Sequence, residues 1–475
     1  MSTFQPNRRD VIAAASAALG ARVLPACAVS GLVEPQGAPQ ETPQATPHHA
    51  PRAKRIVQLF MAGAPSSLDL FDDKKVLRKF DGKPVPDDLL KGQRFAFLKG
   101  VPKLLGSPYS FRNYGDSGAE ISELLPHTAA IADRLTFVKS VHTNPFNHGP
   151  AQVFANTGHH LVGRPSLGSW LLHGLGSDTK NLPGYCVLVS GKIDPGGGSA
   201  CWANGFLPST LGGVELRTRG DLVPCVTDPK TMDRIARKRG IDLISELNGQ
   251  RQAVIGDPEI ASRTAAYQLA YRMQDSAPEL ADLHSEPEYV HRMYGSKPGK
   301  RSFANNCLLA RRLLERGARH VQVIHRGWDH HGSNKSDDLM HGLPNMCEQT
   351  DRAAAALVLD LAQRGMLEDT LVVWGGEFGR TPMREVRSTK VLGRDHNPRA
   401  FTMWFAGGGV KPGQTIGKTD DLGYSVAEDP MHLHDVHATV LHLMGIDHER
   451  LTFRFQGRDY RLTDVHGKVM RKMLA

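Results

Sequence analysis

The feature that most constrains the fold is the repeated alternation of short apolar segments with amphipathic ones. Strand-like segments of four to nine residues recur along the chain, and the last of them lies in "RAFTMWFAGGG" (399–409); the others are at 56–61, 135–142, 183–191, 320–325 and 370–374. Segments with apolar spacing near 3.6 residues, typical of helices, separate the later ones. This alternation predicts an α/β protein of three layers, with a large, mostly parallel central sheet and helices on both faces.

One segment departs from that pattern. Residues 228–300 are charged and lack strand-like runs, and "PEIASRTAAYQLAYRMQ" within them has helical apolar spacing. We therefore predict a helical insertion over 228–300 in a domain that spans 55–475.

The composition excludes some classes of partner. The net charge is +9, but Lys and Arg are scattered, usually beside Asp or Glu, and no basic run is interleaved with aromatic residues. Nucleic acid is therefore not an expected partner, because basicity alone indicates only nonspecific attraction. No stretch is apolar over the length that a membrane-spanning helix needs. The sequence does not indicate the oligomeric state.

The amino terminus indicates the compartment. Paired Arg8 and Arg9 precede an alanine-rich apolar run and the tripeptide Ala26-Cys27-Ala28, which has the form of a signal-peptidase site. We predict a secretory signal over 1–28, of the twin-arginine type, and export to the periplasm or the medium. An ordinary amino-terminal helix is the alternative. Residues 29–54 are rich in Pro, Gln and Ala and predict a disordered linker. One disulfide between two of the cysteines Cys186, Cys201 and Cys225 is compatible with export, and the sequence does not select the pair.

Polar loops with metal-ligand side chains follow four of the predicted strands. These side chains are Asp69; His142 and His148; Asp329, His330 and His331; and Glu377, with Asp395 and His396 downstream. The carboxyl ends of parallel strands meet at one edge of a sheet, so these loops are expected to converge. Imidazole nitrogen combined with carboxylate oxygen suits zinc or manganese better than calcium or magnesium.

Two local patterns refine this hypothesis. Asp329 and His331 are two residues apart, so in an extended segment both point to the same side and can reach one ion, whereas His330 points away. Arg380, in "GGEFGRTP", is a candidate to bind a substrate oxyanion. A structural salt bridge is an equally good interpretation of Arg380.

Several of these motifs together resemble a known family. They run in order from about residue 55 to the carboxyl terminus: "MAGAPSSLDLFD", "NHGPAQVFANTGHH", "GWDHHGSN", "GGEFGRTP" and "HDVHATVLHLMGIDHERLTFRFQGRDYRLTDVHGKV". They resemble the secreted bacterial family called domain of unknown function 1501. That family is similar in fold to the alkaline phosphatase and sulfatase superfamily, whose members are metal-dependent hydrolases of phosphate and sulfate esters.

The resemblance implies roles for individual residues. Asp69 resembles the first-strand aspartate that holds a metal, and Asp329 with His331 resembles the paired ligands of a second metal. Glu377 stands where sulfatases have a carboxylate followed by His, which here is Phe378, and His396 resembles the histidine before a late strand. Two divalent ions are therefore expected, held by Asp69, His148, Asp329, His331, Glu377 and His396.

The nucleophile position differs from the superfamily pattern. Aligned on Thr157-Gly158, His148 occupies the position where the superfamily has a Cys, Ser or Thr nucleophile. Three hypotheses follow. His148 is a metal ligand and an activated water attacks; or His148 itself attacks; or the site binds a metal and an anion without turnover. The first is preferred.

The sequence thus predicts an exported, metal-dependent hydrolase of sulfate or phosphate esters, acting on a small-molecule or glycan ester. His148 and Arg380 are its expected catalytic residues. The competing hypothesis is a non-catalytic envelope protein that retains the fold and binds a metal, an anion or a glycan.

Overall fold

The computed structural model describes residues 46–90, 95–98, 100–192, 196–219, 222–223 and 233–475, all within one compact unit. The predicted signal peptide and the linker up to residue 45 lie outside the described residues. The end of the predicted linker is ordered: the Arg52 and Ala53 amides donate to Leu443 O at 2.9 Å, and Ala53 is buried. The folded unit therefore begins before residue 55.

The described residues include seventeen strands, of two to eight residues each. They are β1 Arg55–Ala62, β2 Phe111–Tyr114, β3 Ala119–Ser122, β4 Thr136–His142, β5 Tyr185–Gly191, β6 Val214–Leu216, β7 His320–Arg326, β8 Thr370–Gly375, β9 Gly379–Arg384, β10 Arg394–Asn397, β11 Phe401–Ala406, β12 Gln414–Ile416, β13 Lys418–Thr419, β14 Val426–Glu428, β15 Met431–His432, β16 Phe453–Phe455 and β17 Arg458–Tyr460.

The helices vary from one turn to more than twenty residues. They are α1 Ser67–Leu70, α2 Lys75–Lys79, α3 Asp87–Leu90, α4 Pro126–Ala130, α5 His148–Thr157, α6 Leu167–Leu175, α7 Arg234–Ile255, α8 Pro258–Ala281, α9 Glu288–Tyr294, α10 Phe303–Glu315, α11 Gly342–Gln363 and α12 Leu433–Leu443. Single 3₁₀ turns lie at Ala132–Arg134, Gly198–Trp202, Ser209–Leu211, Leu283–Ser285, Leu367–Asp369 and Arg471–Met473.

A nine-stranded sheet forms the middle layer, in the order β12-β4-β11-β8-β1-β7-β5-β6 with β15 beside β4. Strand β11 is antiparallel to both of its neighbours, and the other pairs in the sheet are parallel. The predicted mostly parallel sheet is therefore confirmed. The six predicted strands correspond to β1, β4, β5, β7, β8 and β11.

The sheet is buried on both faces, because alternate residues of its strands belong to two different cores. On β1, Leu59 packs in a core with helices α10 and α11, whereas Phe60 packs in a second core with α5, α6 and α12. The three-layer α/β/α architecture is confirmed. The segment predicted to be a helical insertion contains α7, α8 and α9, with no strand among its described residues, 233–300.

Two further expectations concern the chain as a whole. Within the described ranges, no helix is long and apolar enough to cross a membrane. Cys186 and Cys201 are both buried and no disulfide joins them, and Cys225 lies outside the described residues.

Candidate metal centre

Four of the predicted ligands lie together at the carboxyl edge of the sheet. They are His148, Asp329, His331 and His396, and one potential ligand atom from each lies within 4.8 Å of all the others. His148, His331 and His396 are buried, and Asp329 is the partly exposed member. The convergence predicted from the strand-end loops is present for these four residues.

The topology of the sheet explains this convergence. Asp329 and His331 lie in the loop that follows β7, and His148 is the first residue of α5, which follows β4. His396 lies in β10, just before β11. Because β11 runs antiparallel to its neighbours, its first residue lies at the edge where β4 and β8 end, so His396 reaches the same edge.

A glycine allows two of these loops to approach each other. Gly63, directly after β1, has φ +115°, and a Cβ there would lie 2.7 Å from the Asp329 backbone nitrogen. No side chain fits in that space, and the backbone conformation itself favours glycine. The Gly63 amide also donates to Glu377 Oε1 at 3.0 Å, which joins the loops after β1, β7 and β8.

A buried amide network fixes helix α5 to the sheet. Asn156 Oδ1 accepts from Gln58 Nε2 at 3.2 Å and from Gln322 Nε2 at 2.7 Å. Gln58 and Gln322 are on the adjacent strands β1 and β7, so these polar side chains in otherwise apolar strands have a positional role. The same helix begins with His148, whose position therefore depends on this attachment.

Each of the three histidines has its Nδ1 atom against a hydrogen-bond acceptor. His148 Nδ1 lies 2.7 Å from Glu377 Oε1, and His331 Nδ1 lies 2.5 Å from Glu385 Oε2. His396 Nδ1 lies 2.6 Å from the backbone oxygen of Phe146. A carboxylate or carbonyl oxygen can only accept, so Nδ1 carries the hydrogen in all three rings. In the neutral rings, Nε2 is therefore the atom with a free electron pair.

The three Nε2 atoms and one carboxylate oxygen surround a single point. Asp329 Oδ1 lies 3.2 Å from His148 Nε2, 2.8 Å from His331 Nε2 and 4.0 Å from His396 Nε2, and the last two nitrogens are 3.0 Å apart. Four ligands arranged tetrahedrally around zinc at about 2.0–2.1 Å lie about 3.3 Å from one another. The donor set and its spacing therefore fit one divalent ion.

The electrostatics of the group also favour a bound cation. Burial lowers the pKa of His148, but the carboxylates of Asp329 and Glu377 outweigh it and raise the pKa to about 9. Burial acts to raise the pKa of Asp329, but Arg380, His148 and His331 lower it well below its ordinary value. The pKa of His396 is lowered, first by burial and then by Arg380. The carboxylates thus stabilise positive charge beside His148.

Aromatic side chains line the histidines. Phe378 is fully buried, and its ring lies 4.9 Å from that of His148 and 4.7 Å from that of His396. Phe97 is edge-on to His331 at 5.0 Å and to His396 at 5.5 Å. Asp329, whose side chain is 30% exposed, is the part of the group that solvent and a substrate can reach.

The contacts of Arg380 are those of a structural salt bridge, the alternative to binding a substrate oxyanion. Its guanidinium donates to Asp329 Oδ1 at 2.6 Å, to Gly63 O at 2.5 Å and to Ala64 O at 3.1 Å. A further donor reaches Arg394 O at 3.2 Å, and the side chain is 1% exposed. Its donors face the protein, so Arg380 orients Asp329 in this structure and has no free face for a substrate oxyanion.

Asp69, predicted to be a ligand, lies outside the group. Both of its carboxylate oxygens accept from Arg394, at 2.8 and 3.0 Å, and Oδ2 also accepts from Ser66. Burial acts to raise the pKa of Asp69, but Arg394 lowers it more. Arg394 is fully buried, and the Asp69 carboxylate neutralises its positive charge. In this structure Asp69 therefore forms a buried ion pair and is not in the group of possible metal ligands among the described residues.

Glu377, the other predicted ligand outside the group, lies behind His148. Its Oε1 accepts from the Gln152 amide at 3.0 Å as well as contacting His148 Nδ1. Carboxylates in this position orient a ligating histidine and increase its basicity. Glu377 was predicted to be a ligand, and in this structure it lies against His148 Nδ1 and is not in the group of possible ligands among the described residues.

A second possible group shares His331 with the first. It consists of His331, Glu385 and Asp395. Asp395 Oδ2 accepts from the backbone amides of Phe97 and Leu98, and Glu385 accepts from Arg387 as well as contacting His331. These contacts occupy the carboxylates, so the geometry favours hydrogen bonding around His331 over a second ion.

Two residues around the centre have no counterpart among the predicted ligands. Glu385 holds His331, and Gln152 holds Glu377, with Gln152 Oε1 accepting from the Gly197 amide at 3.0 Å. Glu385 comes after β9 rather than after a strand of the main sheet, so its position in the sequence does not point to the site. His330 and His142, noted as neighbours in the sequence, are not in either group.

The fold and the site together define an α/β protein with a candidate metal centre at the carboxyl edge of its sheet. The chain belongs to the family described as "Protein of unknown function (DUF1501)", whose model matches residues 53–474. The family predicted from the motifs is therefore confirmed. No curated protein matches the chain.

Three solved structures from bacteria are among those similar to the chain. A sulfatase from Pseudoalteromonas sp. is 14% identical over 84% of this chain and 68% of its own, with a TM-score of 0.35. A phosphonate monoester hydrolase from Silicibacter pomeroyi is 14% identical over 74% and 71%, with a TM-score of 0.29. A protein in the alkaline phosphatase superfamily from Vibrio parahaemolyticus is 10% identical over 91% and 72%, with a TM-score of 0.36.

Proposed function

We propose that the chain is an exported hydrolase of sulfate or phosphate esters that uses one divalent metal ion. His148, Asp329, His331 and His396 would hold the ion. The observation that supports this most directly is the convergence of three Nε2 atoms and Asp329 Oδ1 on one point, with every Nδ1 atom held by an acceptor. One ion is proposed in place of the two expected, because Asp69 pairs with Arg394.

The ligand set indicates which ions fit. Three imidazole nitrogens and one carboxylate suit zinc, manganese or iron, and magnesium or calcium would require more oxygen ligands. When bound, such an ion supplies Lewis acidity toward an ester oxygen and activates water at neutral pH. The ester class comes from the resemblance of the sequence motifs, and the net charge of +9 suits an anionic substrate.

The protein residues around the centre have distinct tasks in this proposal. Glu377 and Glu385 fix the orientation of His148 and His331. Arg380 holds Asp329 in place. Phe378 excludes water from one side of the histidines, which leaves Asp329 on the accessible side. His148 is a ligand in this arrangement, because Glu377 occupies its Nδ1 and its Nε2 faces the other donors.

The proposal is tested by metal analysis and by ester hydrolysis on the purified chain. We expect about one zinc, manganese or iron ion per chain and turnover of p-nitrophenyl sulfate or p-nitrophenyl phosphate. Treatment with a chelator should abolish turnover, and adding the metal back should restore it. A metal-loaded chain that hydrolyses neither ester would overturn the hydrolase proposal and support the non-catalytic, metal-binding alternative. A correctly folded chain that binds no metal would remove the centre itself.

A further inference from the structure

A cavity of about 970 Å³ lies at the same edge of the sheet, on the face covered by α10 and α11. Ser190, Gly191 and His325, at the ends of β5 and β7, line its inner part, and Lys297, Lys300 and Arg301 line its rim. None of the four candidate metal ligands is among the described residues that line it. The cavity is therefore a separate feature, with the size of a small-molecule site.

His325 places an unpartnered polar atom in this cavity. The side chain is 1% exposed, its Nδ1 lies 3.0 Å from Ser190 Oγ, and its Nε2 has no hydrogen-bond partner among the described residues. Burial lowers the pKa of His325 to about 4, so the ring is neutral at pH 7. Ser190 Oγ lies nearer to Nδ1 than to Ile324 O, which is 3.5 Å away; when the hydroxyl donates to Nδ1, Nε2 carries the ring N–H. A buried N–H without an acceptor is costly, so this tautomer favours a ligand that accepts a hydrogen bond.

The lysines at the rim are held in place by a buried amide. Asn305 is fully buried, and its Nδ2 donates to Lys297 O at 2.7 Å and to Lys300 O at 2.6 Å. Its Oδ1 accepts from the Lys297 amide at 2.9 Å. The loop that carries both ammonium groups is therefore attached to helix α10 at three points. A fixed loop loses little conformational entropy when its side chains bind a ligand.

The first turn of α10 adds further donors. Ser302 caps this helix of 13 residues: its hydroxyl accepts from the Asn305 amide at 3.1 Å and its carbonyl accepts from Asn306. The amides of Phe303 and Ala304, which also line the cavity, have no intrahelical acceptor available. Helix amino termini with free amides stabilise bound anions.

Three carboxylates also line the cavity, one fewer than its cationic side chains. Asp351 is buried, and its carboxylate accepts from the His127 and Thr128 amides at 2.7 and 2.9 Å. Glu123 accepts from the Ser110 amide at 3.0 Å, and Glu348 is exposed at the outer wall. Four cationic side chains line the cavity, since Arg352 joins the three at the rim.

We propose that this cavity binds an oxyanion, a phosphate, sulfate or carboxylate group, carried on a sugar-sized molecule. The His325 Nε2–H and the α10 amides contact the oxyanion, and the rim lysines neutralise its charge. The volume of the cavity leaves room for the rest of a monosaccharide beyond the anion. The binding is independent of the metal centre, so it does not depend on the hydrolase proposal.

Calorimetric titration of the full chain tests this site. The probes are glucose 6-phosphate, glucose 6-sulfate and glucuronate, with glucose as the neutral comparison. The relative affinities of the three anionic probes show which oxyanion the cavity prefers. We expect at least one anionic probe to bind with a Kd below about 1 mM at low salt and glucose not to bind. The double substitution Lys297→Ala and Lys300→Ala should weaken binding at least about tenfold. His325→Leu should weaken it about three- to tenfold.

Two control variants make the outcome decisive. Lys75→Ala with Lys79→Ala removes the same charge from exposed positions on α2 and should leave the affinity unchanged. His331→Ala removes a ligand of the proposed metal centre, where the two ester probes can also bind, so heat that persists in this variant belongs to the cavity. The proposal is wrong if no anionic probe binds the His331→Ala variant more tightly than glucose. It is equally wrong if adding Lys297→Ala and Lys300→Ala to that variant leaves the affinity unchanged.

Discussion

Two groups of histidines lie at opposite ends of helix α5, and they differ in what faces them. At the amino end, His148 joins His331 and His396 around Asp329. At the carboxyl end, His434 Nε2 lies 2.8 Å from Gly158 O, and His437 Nε2 lies 2.8 Å from Ala155 O. The second pair, from α12, thus binds the last carbonyl groups of α5, which have no partner within that helix.

The two groups also differ in charge state. Carboxylates raise the pKa of His148 to about 9 against the effect of burial. Burial and the neighbouring His434 lower the pKa of His437 to about 4. His434 and His437 are not in either group of possible metal ligands found among the described residues. The comparison shows that carboxylates behind and between the rings, rather than histidines alone, distinguish a metal centre from helix capping.

The strongest test of this contrast is to remove one histidine from each group. His331→Ala deletes a ligand, and we expect metal affinity to fall by more than about 100-fold, because even residues behind a ligand contribute 10–100-fold. His434→Ala removes an equally buried histidine and should leave the metal content of the purified protein unchanged. Elemental analysis of both variants gives the answer. Equal metal loss in the two variants would show that the contrast has no functional meaning.

A smaller effect is expected from the carboxylates behind the ligands. Glu377→Gln keeps the size of the side chain but removes the charge that faces His148, so metal affinity should fall about tenfold or more. Glu385→Gln should act similarly through His331, and the two effects should not add fully because both act on ligands of the same ion. Competition with a fluorescent zinc chelator measures both. Asp351→Asn, a buried carboxylate away from the centre, is the control, and an equal effect there would contradict the assigned role of Glu377.

Much of the fold follows from the sequence, because it depends on local apolar periodicity. The six predicted strands are present, and the loops that follow the five parallel ones meet at one edge, where antiparallel β11 begins. Site membership was predictable where a residue directly follows a strand, as for Asp329 and His331. It was not predictable for Asp69, because its partner Arg394 is 325 residues away in the sequence and pairs with it only after folding. Glu385 was missed for the same reason.

The free energy of unfolding should depend on pH through His437, one of the two histidines that cap helix α5. The pKa of His437 is lower in the folded protein than the ordinary value near 6.5, so its contribution is fully present above pH 6.5 and is lost as pH falls toward 4. The linkage amounts to about 2 kcal/mol of unfolding free energy between pH 7 and pH 5. His437→Gln does not titrate in that range and should remove this part of the pH dependence. Chemical denaturation at several pH values measures it, and an unchanged slope would contradict the assignment.

The smallest expected effect belongs to Gln152, which lies between the two groups on α5 and touches the metal centre only through Glu377. Its amide donates to Glu377 Oε1 at 3.0 Å, so Gln152→Ala leaves the carboxylate without one of its donors. This hydrogen bond is made to a charged carboxylate that lies behind the ligand, so its removal should reduce metal affinity only a fewfold, which corresponds to about 1 kcal/mol. The double variant with Glu377→Gln should lose less than the sum, because both changes act on the same contact. Full additivity would mean that Gln152 acts on the centre by another route, such as its contact with Gly197.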